Sequence, residues 1–271
     1  MPNNSKNDFF VVKANGQKEK LDFSKIINSL KRAGATNEQV KETLRIIYPQ
    51  LRNNLKTNYI YKLVFDALRK TGGGAAPLST RYSLKNAIFE LGPSGFPFEQ
   101  FVSGVFSNLG YKCVTNVFLK GKCVEHEIDV LMEKDNEKFT VEAKFHSKPG
   151  YKTDLKIALY VFARYLDIVD TNGKITPYLI TNTKITSEVI AYAACTGLKV
   201  ISWEYPAGGS LRELIDKSKL HPITCLTSID KFTKNILIAN NIVFSKDLEK
   251  HRELFSKEED YNRAVEEAKS L

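Results

Sequence analysis

Apolar and polar residues follow one rhythm up to about residue 92 of this chain and another after it. The first part is mostly helical. Ile26, Ile27, Leu30 and Ala33 recur at helical spacing behind Asp22-Phe23-Ser24-Lys25, and Gly34 is placed to end that helix. A second helical pattern runs from Glu38 to Leu51. A third runs from Asn58 to Arg69, with Ile60, Leu63, Val64, Ala67 and Leu68 on one face, and a fourth from Ser79 to Leu91. The opening is different. Phe9-Phe10-Val11-Val12-Lys13 is β-prone, Asn15-Gly16 is a tight-turn signal and Gln17 to Leu21 can return, which predicts a hairpin. Gly72-Gly73-Gly74 follows no strand and lacks the Gly-x-x-x-x-Gly-Lys-Ser/Thr pattern, so it reads as a loop and not as a phosphate cradle.

Gly92-Pro93-Ser94-Gly95 breaks the helical rhythm. Beyond it the pattern predicts a helix over Pro97–Leu109, then strands over Lys112–Leu119, Glu127–Met132 and Lys138–Phe145. A strongly amphipathic helix over Thr153–Val169 follows. The run closes with a strand at Pro177–Thr181, a helix at Thr186–Cys195 and a strand at Lys199–Trp203. The order α-β-β-β-α-β-α-β is that of a mixed α/β domain. After Pro206-Ala207-Gly208-Gly209 the chain turns helical again, with short helices near Leu211–Lys217, Ser228–Ala239 and Ser245–Phe255. The charged stretch Lys257–Leu271 reads as a solvent-facing helix or a disordered tail. The 271 residues thus divide into segments 9–92, 95–205, 210–256 and 257–271, an α/β and α multi-domain chain.

Charge changes this picture at one end only. Residues 1–92 hold 16 Lys or Arg against 7 Asp or Glu, and residues 93–271 hold 24 of each, so the whole excess of +9 lies in the first third. A basic domain attracts phosphates, of nucleic acid or of nucleotides; the alternative is a solvated basic surface without a partner. Cys113, Cys123, Cys195 and Cys225 form no Cys-x-x-Cys pair and no zinc-ligand spacing, and read as reduced thiols. No apolar run is long enough to span a bilayer and no secretory signal opens the chain, so a cytoplasmic protein without a membrane partner is expected.

The candidate chemistry lies in Glu127-Ile128-Asp129-Val130 and Val141-Glu142-Ala143-Lys144. With a turn centred on Asp135-Asn136, Asp129 falls opposite Glu142, and strand alternation puts Glu142 and Lys144 on that same face. Opposed carboxylates repel, and Lys144 or a divalent cation on hard oxygen ligands can offset the repulsion. Such an ion suits phosphodiester hydrolysis, in which Lys144 would position the water and stabilise developing charge. The competing reading is a hairpin with alternating surface charges.

These residues resemble the PD-(D/E)xK nuclease superfamily, and within it the Mrr-like restriction endonucleases. The resemblance covers about residues 95–205. It includes Phe98-Glu99-Gln100-Phe101-Val102, Gly110-Tyr111, the two motifs above, Tyr178-Leu179-Ile180-Thr181-Asn182, and Ala191-Tyr192-Ala193 with Gly197-Leu198. It implies a restriction-endonuclease-like core with a mixed sheet, Asp129 and Glu142 as ligands of Mg²⁺ or Mn²⁺, Lys144 as catalytic lysine and Glu99 as an outer carboxylate. Glu127 shares the strand face of Asp129, whereas His126 points the other way and reads as structural. Ile128 stands where the motif name has proline.

Residues 9–91 resemble the ATP-cone, a small regulatory nucleotide-binding domain of hairpin and helices. The matching runs are Val11-Val12-Lys13-Ala14-Asn15-Gly16, Glu19, Asp22-Phe23-Ser24-Lys25-Ile26, Lys56-Thr57 and Arg81-Tyr82-Ser83-Leu84-Lys85. That resemblance implies an adenine nucleotide, ATP or dATP, with Lys13 and Lys25 at its phosphates, Val11 over the base and Thr57 donating a hydrogen bond. Ala14 stands where the family has arginine, and Gly92-Pro93 where it has a basic residue. A helical cap that recognises only DNA is the alternative. Residues 220–244 have the flavour of a helix-hairpin-helix module, or form a plain helical extension of the core.

The expectation is therefore a Mg²⁺-dependent DNA endonuclease of restriction or defence type, with ATP or dATP as candidate effector and a homodimer as candidate assembly. The alternatives are a non-catalytic nucleic-acid-binding regulator and a junction- or repair-type nuclease.

Overall fold

The computed structural model describes residues 9–13, 16–71 and 76–271, and the side chains among these except 71, 76 and 77. Ala14, Asn15 and the triple glycine lie outside the described residues. The chain forms two compact units, one of residues up to Leu84 with Ser270–Leu271, the other Lys85–Lys269. The division falls at Leu84/Lys85, eight residues before the Gly92-Pro93 break that the sequence pattern singles out.

In the first unit, β1 (Phe10–Val12) pairs antiparallel with β2 (Lys18–Lys20), as the hairpin reading requires. Asp22 then caps α1 (Phe23–Arg32) by accepting the Ser24 N–H. Thr36 and Gln39 form a reciprocal capping box at the start of α2 (Asn37–Ile47). A third strand, β3 (Leu55–Lys56), lies parallel to β1. At two residues it is too short for alternation to reveal. α3 (Thr57–Thr71) completes a core in which Ile26, Leu30, Ile47, Val64 and Leu68 are buried. α4 (Ala76–Phe89) contains the division between the units.

The second unit is built on a five-stranded mixed sheet. Its first elements are α5 (Phe96–Asn108), β4 (Lys112–Lys120), β5 (Glu125–Lys134) and β6 (Glu137–Lys144). Asp135 and Asn136, at φ +53° and +63°, make the two-residue turn between β5 and β6, because both tolerate the left-handed conformation that such a hairpin needs. After β7 (Lys152–Thr153), Asp154 caps α6 (Leu155–Asn172). Then come β8 (Ile175–Thr181), β9 (Lys184–Ile185), α7 (Ser187–Thr196) and β10 (Lys199–Ile201). The sheet order is β10-β8-β6-β5-β4. The pairs β4–β5 and β5–β6 are antiparallel, whereas β6–β8 and β8–β10 are parallel, connected through α6 and α7. This is the α-β-β-β-α-β-α-β order read from the sequence, with β7 and β9 added as a short parallel pair.

The C-terminal segments fold into this same unit. α8 (Leu211–Ser218), α9 (Lys231–Ala239) and α10 (Glu258–Lys269) are joined by short 3-10 turns. Phe244 stacks on Phe101 of α5 at 5.1 Å, and the Thr224 hydroxyl donates to the Ala87 carbonyl at 2.6 Å. A side chain at Gly104 would overlap the Phe244 ring, so α5 approaches this segment closely only because glycine stands there. The charged last stretch is helical over α10 and buries Glu267, whose carboxylate accepts the Thr227 and Ser228 N–H groups. Residues 210–269 are therefore a packed extension of the core. Among the described residues no helix is long and apolar enough to cross a membrane.

Candidate active site

Asp129 lies where β5 parts from both neighbours. Its pairing with β6 runs from Lys134–Glu137 to Val130–Val141 and stops one step short of Asp129–Glu142. On the other side, β4 pairs at Thr115–Val130 and Val117–Ile128 but skips Asn116–Asp129. Asn116 sits at φ +54° in the middle of its strand, a conformation that asparagine tolerates better than most residues. The sheet thus opens at the acidic residue. The vacated ladder position is filled by the Asp129 side chain, whose Oδ2 accepts the Ala143 N–H at 2.7 Å.

Glu142 is held differently. Its Oε2 is 2.5 Å from Arg164 of α6, which is almost wholly buried and also donates to the Glu127 carbonyl at 3.0 Å. The guanidinium lies 5.2 Å from the Tyr160 ring centre. The sequence reading missed Arg164 and assigned the charge compensation to Lys144 or a metal. One signal was present. Ala158, Val161 and Ile168 form the buried stripe of α6, and Arg164 stands within that stripe. A long charged residue at core spacing implies a buried acidic partner.

Lys144 is partly buried two residues beyond Glu142 and pairs with Thr181 of β8. Glu99, in the first turn of α5, is close enough to feel the charges of Asp129, Glu127 and Glu142, and burial is the larger influence on it. Its carboxyl is pushed up to about 7. Burial also pushes Asp129 up to about 6, followed by the Glu142 charge, with the Ala143 N–H and Arg164 pulling the other way. The four carboxylates named in the sequence reading, Glu99, Glu127, Asp129 and Glu142, do converge.

The donor set suits a hard cation. The bonds described use one oxygen of Asp129 and one of Glu142, so each carboxylate is oriented and keeps a second oxygen. Among the described residues no three His, Cys, Asp or Glu side chains form a ready-made metal cage. A Mg²⁺-type ion needs only one or two carboxylates, its remaining positions being taken by water and substrate oxygens.

His126, expected to point the other way, bonds to the same helix that holds Glu142, one turn beyond Arg164. Its Nε2 lies 2.7 Å from Asp167 Oδ2, and Asp167 also accepts the Cys123 N–H at 2.8 Å. The His126 bond is the first of several that hold the Asp167 carboxyl well below the usual carboxylate range. This pair pins the β4–β5 loop to α6.

In the first unit, Val11, Lys25 and Thr57 line one pocket together with Ser29, Tyr61 and Tyr82. Lys13 stands at its edge. Its Nζ is 2.6 Å from Glu19, which lines the pocket and also binds Lys25 at 3.3 Å. Tyr61 and Tyr82 stack at 5.3 Å, and burial pushes the Tyr82 hydroxyl up to about 12.

A family model described as AF1548-like, C-terminal, matches residues 221–271. An uncharacterised protein of Archaeoglobus fulgidus is 40% identical over 167 residues, which span 60% of this chain and 94% of that one. The crystal structure of a protein of unknown function, AF1548, superposes with a TM-score of 0.56 at 36% identity, over 65% of this chain and 97% of that one. A repair endonuclease from Pyrococcus abyssi aligns at a TM-score of 0.32 and 16% identity, over 40% of this chain and 46% of that one. The relative from Archaeoglobus fulgidus is matched along nearly its whole length, and by that match this chain belongs to the AF1548-like family.

Proposed function

We propose that the Lys85–Lys269 unit is a metal-dependent endonuclease that hydrolyses DNA phosphodiesters. The observation that carries this reading is the mutual influence of Asp129, Glu142, Glu99 and Glu127 at the place where the central sheet opens, with Lys144 two residues along the strand from Glu142. Asp129 and Glu142 would hold Mg²⁺ or Mn²⁺, which when bound supplies Lewis acidity and a water of lowered pKa. The Ala143 N–H and Arg164 orient those two carboxylates in advance. Lys144, on the face of Glu142, is placed to position the attacking water and to counter charge developing on the phosphate. Glu99 would act as an outer carboxylate near the ion. The Mrr-like resemblance of residues 95–205 is the ground for proposing the restriction or defence type.

The test is cleavage of unmodified and methylated plasmid DNA with Mg²⁺ or Mn²⁺. Wild type is expected to cut, and Lys144→Ala to cut about 10³-fold more slowly or not at all. Wild type and variant equally inert on every plasmid, while still binding DNA, would replace the enzyme with a binding regulator.

For the first unit the proposed ligand is ATP or dATP, in the pocket lined by Val11, Lys25 and Thr57. The phosphates would compete with Glu19 for Lys13 and Lys25, the two cations that this carboxylate already holds. A nucleotide at a hundredfold excess over its Kd should stabilise the folded chain by about 2.7 kcal/mol, and Lys25→Ala should remove most of that shift. Thermal unfolding with and without nucleotide reads this directly, and sizing the same samples reports whether a dimer forms. No shift with either nucleotide at millimolar concentration would remove the ligand.

A further inference from the structure

The loop that follows Lys144 carries a feature the proposed hydrolysis does not use. Tyr151 is 60% exposed, with one face stacked on His146 at 5.9 Å and an interplanar angle of 7°. The loop beneath it is unusually well fixed for a surface segment. The His146 N–H donates to Asn182 Oδ1 at 2.9 Å, and Asn182 Nδ2 returns a bond to the His146 carbonyl at 2.8 Å. His146 Nε2 is 3.2 Å from the Thr153 hydroxyl, which donates to Thr181 at 3.0 Å. Asn182, Thr153 and Thr181 are all buried, and Thr181 is the strand partner of Lys144. A buried, satisfied polar network is therefore holding an exposed aromatic ring in one orientation beside the candidate site.

The charge around the ring is predominantly positive. Tyr151 lines a shallow cleft with Lys85, Lys152 and Lys184, and Lys148 lies in the same loop. Of the nearby acids, Glu204 is 3.7 Å from Lys184, Glu188 feels the charge of Lys152, and Asp154, which caps α6, acts on His146 against the Lys144 charge. A rigid ring with one open face, among lysines, suits a nucleobase on the ring and phosphates on the ammonium groups. A base inside a duplex has both faces covered, so only an unpaired base can reach the ring.

We propose that Tyr151, backed by His146, is a stacking platform for an unpaired base, with the cleft lysines holding the adjoining phosphates. The platform selects single-stranded or locally opened nucleic acid for the site next to it. This rests on the nucleic-acid reading of that site.

The experiment is fluorescence anisotropy of the full chain in EDTA. The probes are a short oligothymidylate, the matching oligouridylate, the same backbone without bases, and a blunt duplex. Tyr151→Ala is expected to weaken at least one base-bearing strand about tenfold, with Tyr151→Trp restoring it and the baseless strand unaffected. Lys152→Ala should weaken every probe and flatten the salt dependence. Tyr151→Ala within about twofold of wild type on both base-bearing strands would overturn the platform. So would equal losses on the baseless strand or the duplex. Binding is read without divalent ions, so it is separable from cleavage. A strand held through Tyr151 yet never cut keeps the platform and removes the nuclease, whereas a cut strand indifferent to Tyr151 does the reverse.

Discussion

Asp129→Asn is expected to abolish cleavage and, without added metal at pH 8, to make the protein more stable than wild type. The Asp129 carboxyl is raised from 3.8 to about 6 in the folded state, chiefly by burial and then by Glu142. A carboxyl raised in this way contributes its full stability below the unfolded pKa and loses it as pH rises through the folded one. Wild type should therefore weaken between about pH 4 and pH 6, and Glu99, raised to about 7, extends that decline upward. Asparagine keeps an oxygen for the Ala143 N–H and carries no charge, so it escapes the Asp129 part of the loss. After discounting for partial exposure the gain is about 1–2 kcal/mol at pH 8, a few degrees in Tm, and it should vanish near pH 4. Mn²⁺ should reverse the order at pH 8, because a cation stabilises the ionised site and asparagine holds it poorly. Thermal unfolding across pH, with and without Mn²⁺, decides the matter. An Asp129→Asn protein less stable than wild type at pH 8 in EDTA would contradict the raised carboxyl. Equal Mn²⁺ shifts for the two proteins would remove the metal from this site.

The second large effect is expected at Arg164. Methionine keeps most of its volume and removes only the charge and its bonds. The change leaves Glu142, whose side chain is 17% exposed, without its partner, and the Glu127 carbonyl without this donor. Breaking a buried pair from one side costs more than the pair contributes net, because the remaining charge stays desolvated. A loss of about 3 kcal/mol, or roughly 6–10 °C in Tm, is expected for a unit of this size. Glu142→Gln in the same chain should recover a large part of it. A double-mutant cycle measures that coupling. Single variants that lose stability additively, with no recovery, would show that Arg164 supports α6 alone.

Neither effect is visible in a pattern of alternating residues, and the reason separates local from distant causes. The β5–β6 hairpin was legible because its determinants are adjacent in the chain. Asp135-Asn136 is a turn signal, alternation on either side sets the register, and together they put Asp129 and Glu142 on one level. The caps at Asp22, Thr36 and Asp154 are local in the same sense, as is the α-β-β-β-α-β-α-β order of the core. By contrast, β3, β7 and β9 are two residues each and exist only because a partner strand arrives from elsewhere.

By itself, then, the sequence determined where the elements lie, which residues share a strand face, and that two carboxylates and a lysine stand on one hairpin. Tertiary structure decided the rest. It opened the sheet at Asp129, opposite the left-handed Asn116 of β4, supplied Arg164 22 residues beyond Glu142, and brought Glu99 within range of three other carboxylates. It also drew residues 210–269 into the core, through Phe244 against Phe101 and Gly104. Hydrogen-bonded turns and side-chain alternation act over a few residues and leave a periodic trace. Charge compensation and packing act through space between residues far apart in the chain, so they leave only isolated irregularities, such as an arginine in an apolar stripe or a glycine inside a helix.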